Sequence, residues 1–265
     1  MKTVLITGAG TGLGRATAEY LSKNGYQVFA GVNHHDEITD PNIKKISLNV
    51  SNTEAVEEAY SLVSSMTDHL DAIINFAGFM VMGSLIEEDL SVMEKILNVN
   101  VMGMVRVNKI FFPLLEKAKG RIINISSECG IYGATPFNGF YTASKHAVEM
   151  YSDALRRELC YLGVKVIKIR PGAFKTKMQD GTKATFDNML AKTTHYPSVM
   201  KKMGSLAEKQ TGKIEEPIKL AKLIYKVLNV KKPKIAYNIN IAGEMKMMNI
   251  FSDSMQDKLY QAVVK

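Results

Sequence analysis

Apolar runs alternate with amphipathic segments along most of the chain, and this alternation is the feature that most restricts the fold. The runs lack regular polar alternation, which is typical of buried strands, at residues 3–7, 27–32, 44–50, 70–78, 120–126 and 164–172. Helical patterns separate them at 14–25, 51–66, 87–117 and 141–162. Strands that are apolar on both sides and joined by helices predict a parallel sheet covered on both faces. Right-handed crossovers then give an α/β fold with a doubly wound sheet in three layers.

One domain is expected over residues 1–265, because no Pro-, Gly- or Ser-rich linker and no internal repeat divides the chain. Segment 173–213 interrupts the strand and helix rhythm and is rich in Lys, Met and Thr. It follows the carboxyl end of a strand, which is where a doubly wound sheet places the segment that covers a substrate. We therefore expect segment 173–213 to be a substrate lid.

Composition favours an ordinary globular protein with a lysine-rich surface. The net charge is +8, but the lysines are dispersed and carry no base-reading motif, so no nucleic-acid partner is expected. No apolar run reaches the roughly 18 residues of a membrane span. Cys129 and Cys160 are too few for a disulfide framework or a zinc cluster. We expect a cytoplasmic protein with no metal site.

A glycine-rich turn, "TGAGTGLG" at residues 7–14, directly follows the first strand and opens the first helix. Glycines 8, 12 and 14 permit a tight turn and close approach of the backbone to a ligand. The helix N-terminus offers N–H groups and a positive dipole end to a pyrophosphate. This context predicts dinucleotide binding.

Six motifs in order carry a family resemblance. After "TGAGTGLG" come "NFAG" (75–78), "NVNVMG" (98–103), "NISS" (124–127), "YTASK" (141–145) and "RPGAFKT" (170–176). The series resembles that of the short-chain dehydrogenase/reductase family, over residues 1 to about 176. The stretches around the long helix 141–162 resemble members that act on steroids or retinoids. The resemblance implies a Rossmann-type fold and hydride transfer between nicotinamide and an alcohol or ketone.

The resemblance also implies the catalytic groups. Tyr141 would be the general acid/base, Lys145 would hold the nicotinamide ribose, and Ser127 would hold the substrate oxygen. Four residues separate Tyr141 from Lys145, so both share a helix face. The ordinary pKa of tyrosine, about 10, is too high for a base at neutral pH, and we expect the Lys145 ammonium to lower it. Asn100 matches the asparagine that bends its helix and holds a relay water.

Serine 127 is preferred to its neighbour, although one residue too many separates it from Tyr141. Ser127 lies 14 positions before Tyr141, whereas the family usually has the serine about 13 positions before the tyrosine. We expect loop 134–140 to absorb the extra residue, close to where substrate enters. Ser126 would point away, because neighbouring side chains in a strand reverse direction.

The cofactor NAD or NADP is implied, with the preference open. Val32 and Asn33 end the second strand without the acid typical of NAD enzymes, and Thr11 stands where many NADP enzymes carry a basic residue. Arg15, His34 or His35 could still reach a 2′-phosphate. The residues matched to the cofactor site are Gly8, Thr11, Gly12, Leu13, Gly14, Asn33, Asn49, Val50, Asn75, Ala77, Gly78, Tyr141, Lys145, Pro171, Gly172 and Thr176.

A bulky hydrophobic alcohol or ketone is the expected substrate, with a hydroxysteroid leading. Phe79, Met80, segment 129–138 and the lid should form the pocket, and Met178, Met189, Met200 and Met203 suit an apolar ligand, although helical methionines are often plain core. A 3-oxoacyl thioester reductase and a non-catalytic dinucleotide sensor are the alternatives. By resemblance, a homodimer or homotetramer would form through the helices at about 87–117 and 141–162.

Overall fold

The computed structural model describes residues 1–34, 36–176, 182–209 and 214–264. In this part of the chain seven parallel strands form one sheet in the order β3-β2-β1-β4-β5-β6-β7. The predicted doubly wound α/β fold is therefore confirmed, as a single domain. The strands are β1 (Lys2–Thr7), β2 (Tyr26–Val32), β3 (Lys44–Ser47), β4 (Ala72–Asn75), β5 (Arg121–Ile125), β6 (Lys165–Pro171) and β7 (Ala236–Ile239).

Helices connect the strands and continue beyond the last one. They are α1 (Gly12–Lys23), α2 (Thr53–Ser64), α3 (Leu90–Leu97), α4 (Gly103–Ile110), α5 (Phe112–Lys117), α6 (Gly139–Leu159), α7 (Thr182–Lys192), α8 (Pro197–Lys209), α9 (Pro217–Asn229), α10 (Gly243–Met248) and α11 (Asp253–Val264). A π-helical turn, Asn98–Met102, joins α3 to α4, and short 3₁₀ turns lie at Glu128–Gly130 and Cys160–Leu162. None of the helices in the described ranges is long and apolar enough to cross a membrane.

Two hydrophobic cores lie on opposite faces of the sheet. Val4 and Ile6 of β1 face the layer of α1 and α9, while Leu5 faces the layer of α2, α4, α5 and α6. All three side chains are fully buried. Because side chains alternate along a strand, a strand buried on both faces needs apolar residues at every position. The uninterrupted apolar runs of the sequence are thus explained by the two helical layers.

The order of strands places a crevice next to β1. Thr7 at the end of β1 is level with Gly31 of β2 on one side and Asn75 of β4 on the other. After β1 the chain continues to β2 and β3 on one side of β1, and it later crosses to β4 on the other side. The loops that follow β1 and β4 therefore separate at this point. Ligands of open α/β sheets bind in such a crevice, outside the carboxyl ends of the strands.

Three sequence-based boundaries differ from the structure. The expected strand 44–50 ends at Ser47, and the expected strand 70–78 is reduced to Ala72–Asn75. The helical pattern over 87–117 is divided by the π turn and by the start of α5. In the first two cases the chain leaves the sheet early because its next residues form the loops at the crevice.

Candidate active site

The glycine turn lies at the carboxyl end of β1 and is closely packed. Gly8 and Gly12 have φ angles of 63° and 53°, in the left-handed region that glycine tolerates best. A Cβ at Gly8 would lie 2.8 Å from the Ala77 nitrogen, and a Cβ at Gly14 would lie 2.2 Å from the Gly8 oxygen. No larger residue fits at either position without moving backbone. The turn is therefore a cradle that leaves room for a ligand at the start of α1, where the helix dipole is positive.

The loop after β4 closes over this turn. The Ala77 N–H donates to the Thr7 hydroxyl at 3.1 Å, which fixes the loop above the end of β1. Gly78 follows, and a Cβ there would lie 3.0 Å from Asn100 Oδ1 and 3.9 Å from Lys145 Nζ. The loop thus brings the glycine turn, the π turn and α6 close together.

Asn100 lies in the π turn, is 1% exposed and connects two elements. Its Oδ1 accepts from the Phe79 N–H at 2.9 Å, and its Nδ2 donates to the Phe79 carbonyl and to Ser144 Oγ, both at 3.0 Å. The Ser144 hydroxyl donates to the Tyr141 carbonyl at 2.7 Å. The wider π turn moves Asn100 off the regular helix path, which agrees with the expected bend. Its amide fixes the loop after β4 to the first turn of α6.

Tyr141 and Lys145 lie on one face of α6, as their spacing predicts. Lys145 Nζ is 5.6 Å from the centre of the Tyr141 ring and donates to the Ile125 carbonyl at 3.0 Å. The Lys145 side chain crosses the crevice from α6 to the end of β5 and is only 6% exposed. Burial lowers the pKa of Lys145 to about 8, although Cys129 and Glu149 oppose this change.

The expected lowering of the Tyr141 pKa is wrong. Burial raises the pKa of Tyr141 above its ordinary value, and a hydrogen bond with Ser127 acts weakly in the opposite direction. Desolvation of the phenolate is the largest cause, and the neighbouring Cys129 and Glu128 act in the same direction. The Lys145 ammonium points to the Ile125 carbonyl. Tyr141 therefore keeps its proton at neutral pH and can donate it.

Ser127 faces Tyr141 from the end of β5. It is 7% exposed, it interacts with the Tyr141 hydroxyl, and its Oγ accepts from the Cys129 N–H at 3.2 Å. The neighbouring Ser126 packs against Gly130, whose Cβ position is 2.6 Å from Ser126 Oγ. The two serines thus point in different directions, and Ser127 is the one beside the tyrosine.

Loop 134–140 contains a strained residue. Phe137 has a φ of 64°, which is unusual for a bulky side chain and costs on the order of 1–3 kcal/mol. The Phe137 carbonyl accepts from the Gly83 N–H at 2.8 Å, and its ring packs edge-on against Tyr196 at 5.3 Å between centroids. The loop that is expected to contain the extra residue is thus held on both sides.

Ten of the residues matched to the cofactor or catalytic site line one cavity of about 200 Å³. They are Gly8, Thr11, Gly12, Leu13, Gly14, Gly78, Tyr141, Lys145, Pro171 and Thr176. Glu37, Phe76, Phe79, Ile125 and Ser126 complete its lining. The cavity runs from the glycine turn to Tyr141 and so joins the expected pyrophosphate position to the expected catalytic residues.

The remaining matched residues lie outside this lining. Asn33 is exposed at the end of β2, and Asn49 accepts from the Ser51 backbone and hydroxyl. Val50 is buried against Gly103, and Gly172 lies against the Asn240 carbonyl.

Asn75 belongs to a buried group of amides. Its Nδ2 donates to Asn108 and Asn124 at 2.8 and 2.9 Å, and the residue is 3% exposed. The Asn124 amide in turn donates to Ser152 Oγ at 2.9 Å. The Asn75 side chain thus joins β4 to β5 and α4, and only its backbone is available to the crevice.

Sequence reasoning missed two carboxylates. Glu37 reaches the cavity from the loop after β2, because its N–H donates to the Gly10 carbonyl at 2.9 Å. Glu87 lies before α3 and accepts from the Thr193 hydroxyl and from the Thr194 and His195 N–H groups at 2.8 to 2.9 Å. Both act through loop conformation, so a motif search had no signal for them. The acid five residues after Val32 was the one available hint for Glu37.

The expected lid is partly described. Its residues 177–181 and 210–213 lie outside the described ranges, together with His35 and Met178. Helices α7 and α8 pack against each other, with Phe186, Met189 and Met200 buried in a small cluster. Phe137, Met82, Leu190, Tyr196 and Met203 surround this cluster. Met189 and Met200 therefore belong to the core between α7 and α8, which is the alternative interpretation of these methionines.

A second cavity of about 520 Å³ lies between loop 133–139 and α11. Its lining includes Leu85, Phe137 and Tyr260, together with polar groups such as Asp253 and Gln256. It adjoins loop 134–140, the segment expected near substrate entry. The lining of this second cavity combines polar and apolar side chains, whereas the cluster between α7 and α8 is apolar.

Comparison with known proteins adds to this geometry. Residues 2–186 match the sequence model described as short chain dehydrogenase. A 3-ketodihydrosphingosine reductase of Bacteroides thetaiotaomicron is 33% identical over 87% of this chain and 84% of its own length. Estradiol 17-beta-dehydrogenase 2 of Rattus norvegicus is 36% identical over 71% of this chain, which spans 52% of the rat protein. A short chain dehydrogenase of Burkholderia cenocepacia, solved with NADP, superposes with a TM-score of 0.75 at 21% identity, covering all of both chains.

Proposed function

Because the chain belongs to the short-chain dehydrogenase family and is an NAD(P)-dependent oxidoreductase, we propose that it interconverts a secondary alcohol and a ketone on a bulky hydrophobic molecule. The observation that carries the proposal is the position of Tyr141 and Lys145 at one end of the cavity that begins at the glycine turn, with Ser127 hydrogen-bonded to Tyr141 just outside the cavity lining. The opposite end of the same cavity fits a pyrophosphate.

Each group has a definite part in the proposed reaction. NAD(P), when bound along the cavity, supplies or accepts the hydride. The Ser127 hydroxyl holds the substrate oxygen, and Tyr141 donates a proton to that oxygen as a ketone is reduced. The raised pKa of Tyr141 suits this direction, since the phenol stays protonated at neutral pH. Lys145 places its ammonium between the tyrosine ring and the end of β5, where it can bind a ribose hydroxyl.

Asn100 supports the same reaction by position. Its amide holds the loop after β4 to α6, and its Oδ1 lies close to Gly78, which in turn neighbours the Lys145 ammonium. We propose that this arrangement carries protons between Lys145 and solvent. The intact set of Ser127, Tyr141 and Lys145 argues against a purely dinucleotide-sensing role.

The substrate proposed first is a hydroxysteroid, and a long-chain 3-keto lipid is the second candidate. The rat relative named as an estradiol dehydrogenase supports the first, and the bacterial 3-ketodihydrosphingosine reductase supports the second. The apolar lid cluster suits either ligand. A 3-oxoacyl thioester reductase stays the main alternative.

A nicotinamide absorbance assay tests the proposal. The protein would be incubated with NAD(H) or NADP(H) and a panel of steroids, 3-keto lipids, short hydroxy acids and 3-oxoacyl thioesters. We expect turnover with steroids or 3-keto lipids, and a loss of at least about a hundredfold in Tyr141→Phe with unchanged cofactor affinity. Efficient turnover of 3-oxoacyl thioesters alone would instead identify the protein as a 3-oxoacyl thioester reductase. Full activity in Tyr141→Phe would exclude the mechanism.

A cytoplasmic homodimer or homotetramer is proposed as the form in which the enzyme works. The free thiols of Cys129 and Cys160 suit a reducing compartment. Met102 in the π turn and Met150 in α6 expose large apolar side chains on the helices expected to pair, which supports association through this face.

A further inference from the structure

The last two helices, α10 and α11, expose a series of large apolar side chains, which we call the apolar face. Its members are between 38% and 81% exposed, and they are Met247, Ile250, Phe251, Met255 and Leu259. Phe251, Met255 and Leu259 follow one another at intervals of four residues, so they lie along one side of α11 and of the turn before it. A group of exposed apolar side chains on adjacent turns indicates a surface that binds a partner.

The polarity of α11 is the reverse of that of an ordinary surface helix. Such a helix turns its apolar side to the protein and its polar side to water. The side of α11 that lines the 520 Å³ cavity instead carries side chains with polar atoms, namely Asp253, Gln256, Asp257, Tyr260 and Gln261. Met255 lies two residues from both aspartates, so it projects from the opposite, outer side. The arrangement thus places the apolar side of the helix outward.

Two lysines border the apolar face. Lys258 is exposed and lies three residues after Met255, so both side chains project from the same side of α11. Lys246 is exposed in the last turn of α10, next to Met247. Each of the two helices therefore adds one ammonium group beside the exposed apolar side chains.

The acidic residues of the same helices project away from the apolar face. Asp253 and Asp257 line the cavity on the inner side of α11. Glu244 lies two residues before Lys246, about 200° away around the helix axis, so the two side chains leave α10 on opposite sides. The charges beside the apolar face are thus positive, as is the net charge of +8 of the whole chain. This surface is complementary to an anionic one.

We propose that the apolar face and its two lysines dock the protein onto the surface of an anionic lipid bilayer. The apolar side chains enter the headgroup layer, while the lysine stems extend along them and hold the ammonium groups at the lipid phosphates. A second copy of the chain is a less favourable occupant. A two-fold contact presents the same positive border from both copies and brings no carboxylate of the apolar face to it.

The docked position would connect the bilayer with the expected substrate entrance. Helix α11 would be the wall between the lipid and the 520 Å³ cavity, whose other side is formed by Thr135, Pro136 and Phe137 of loop 133–139. A bulky hydrophobic alcohol or ketone partitions into bilayers, so a docked enzyme can take it up without its passage through water. This delivery of substrate rests on the proposed function, whereas the docking does not.

Vesicle flotation of the full-length protein tests the docking. The wild type should bind vesicles of phosphatidylcholine with phosphatidylserine, and should bind pure phosphatidylcholine vesicles about tenfold more weakly. Met255→Gln combined with Leu259→Gln should weaken binding to the mixed vesicles by about tenfold or more, because less apolar surface leaves water. Leu62→Gln combined with Met66→Gln replaces an apolar pair of similar exposure at the end of α2, and this control should bind like the wild type.

Lysine variants test the part played by charge. Lys246→Gln combined with Lys258→Gln should abolish the preference for phosphatidylserine. Lys231→Gln combined with Lys232→Gln removes the same charge before β7, at the opposite edge of the sheet from the crevice, and should preserve that preference. Thermal melts of each variant verify that the fold is retained.

The outcomes separate the docking from the proposed reaction. Absence of wild-type binding to both kinds of vesicle, or equal binding by the wild type and the Met255→Gln, Leu259→Gln variant, overturns the inference. A smaller mass of that variant in light scattering, without a change in vesicle binding, would assign the apolar face to a second copy of the chain and also overturn it. Vesicle binding without turnover of any alcohol or ketone would overturn the proposed function and support the docking.

Discussion

At the scale of single residues, burial acts directly against the charge of Lys145. Its ammonium is almost fully buried, and its pKa is lowered to about 8 from the 10.5 of a free lysine. Below pH 8 the charge is present and can hold a ribose, while above that pH the side chain becomes neutral. Function and stability at this residue therefore depend on pH in opposite senses.

We predict that dinucleotide affinity and turnover decrease as pH rises through about 8. Stability should do the reverse: the unfolded chain binds more protons at Lys145 between pH 8 and 10.5, so the free energy of unfolding increases across that window. Fluorescence titration of NADH and thermal melts at several pH values measure both. Lys145→Met is the matched control and should show weak binding at every pH.

The comparison between wild type and Lys145→Met gives the decisive result. Subtracting their unfolding free energies removes other titrating groups, and the difference should change in favour of the wild type above pH 8. A pH-independent difference, or NADH binding that strengthens above pH 8, would contradict the assignment of this pKa.

The sequence identifies which residues form the candidate site better than it predicts the surroundings of each side chain, such as its burial and its pKa. The family motifs identify Tyr141 and Lys145 by their spacing and Ser127 despite a spacing one residue too long, and the structure brings the three together. The Tyr141 pKa was wrong in sign, since burial depends on the whole crevice and not on a neighbour one helical turn away. Glu37 was missed because a backbone hydrogen bond to Gly10, not a spacing, brings it to the cavity.

At the scale of elements, Glu87 connects the segment before α3 to the turn between α7 and α8, in the segment that we propose as a substrate lid. Its carboxylate accepts from the Thr193 and Thr194 hydroxyls and from the Thr194 and His195 N–H groups, all in the turn between α7 and α8. Burial alone would raise the pKa of Glu87, but these hydrogen bonds lower it to about 2. The carboxylate thus stays ionised, and the connection is lost only as pH falls toward 2.

We predict that Glu87→Ala raises the KM for substrate by about threefold or more while kcat changes little, because the lid loses its fixed position but the proton donors stay in place. Hydrogen exchange of α7 and α8 should become faster. Glu94→Ala, an exposed acid on α3, is the control and should change neither. An unaltered KM with unaltered exchange in Glu87→Ala would show that the contact is incidental.

The sequence predicts the strands, because they follow a repeating apolar pattern. It does not predict features that depend on local backbone geometry or on packing. The strands follow from apolar runs buried between two helical layers, as Val4, Leu5 and Ile6 illustrate. The resemblance implies a bend at Asn100, but the π geometry of that bend is not visible in the sequence, since an extra residue within a helix leaves the apolar pattern nearly unchanged. Met189 and Met200 fit a ligand pocket or a lid core equally well in sequence, and packing alone distinguishes the two.

At the scale of the whole molecule, the exposed apolar side chains suggest how copies associate. Met150 of α6 is 65% exposed and Met102 of the π turn is 45% exposed. A two-fold interface brings the same patch of both copies together, so one substitution acts twice.

We predict that Met150→Glu converts the oligomer to a smaller species, because it places carboxylates against an apolar partner surface. Size-exclusion chromatography with light scattering measures the mass. Leu62→Glu on α2 is the control: it replaces an apolar side chain of 45% exposure outside the expected interface and should leave the mass unchanged. An equal mass for the wild type and Met150→Glu would exclude this face.

The cavity between the glycine turn and Pro171 has a consequence for biosynthesis. It takes residues from the end of β1 and from the end of β6, so it cannot exist until the chain as far as Pro171 has left the ribosome. A nascent chain gains nothing from cellular dinucleotide before that moment, and afterwards every bound molecule favours the native state by mass action. Starvation for the cofactor should therefore shorten the lifetime of finished protein without slowing its early folding.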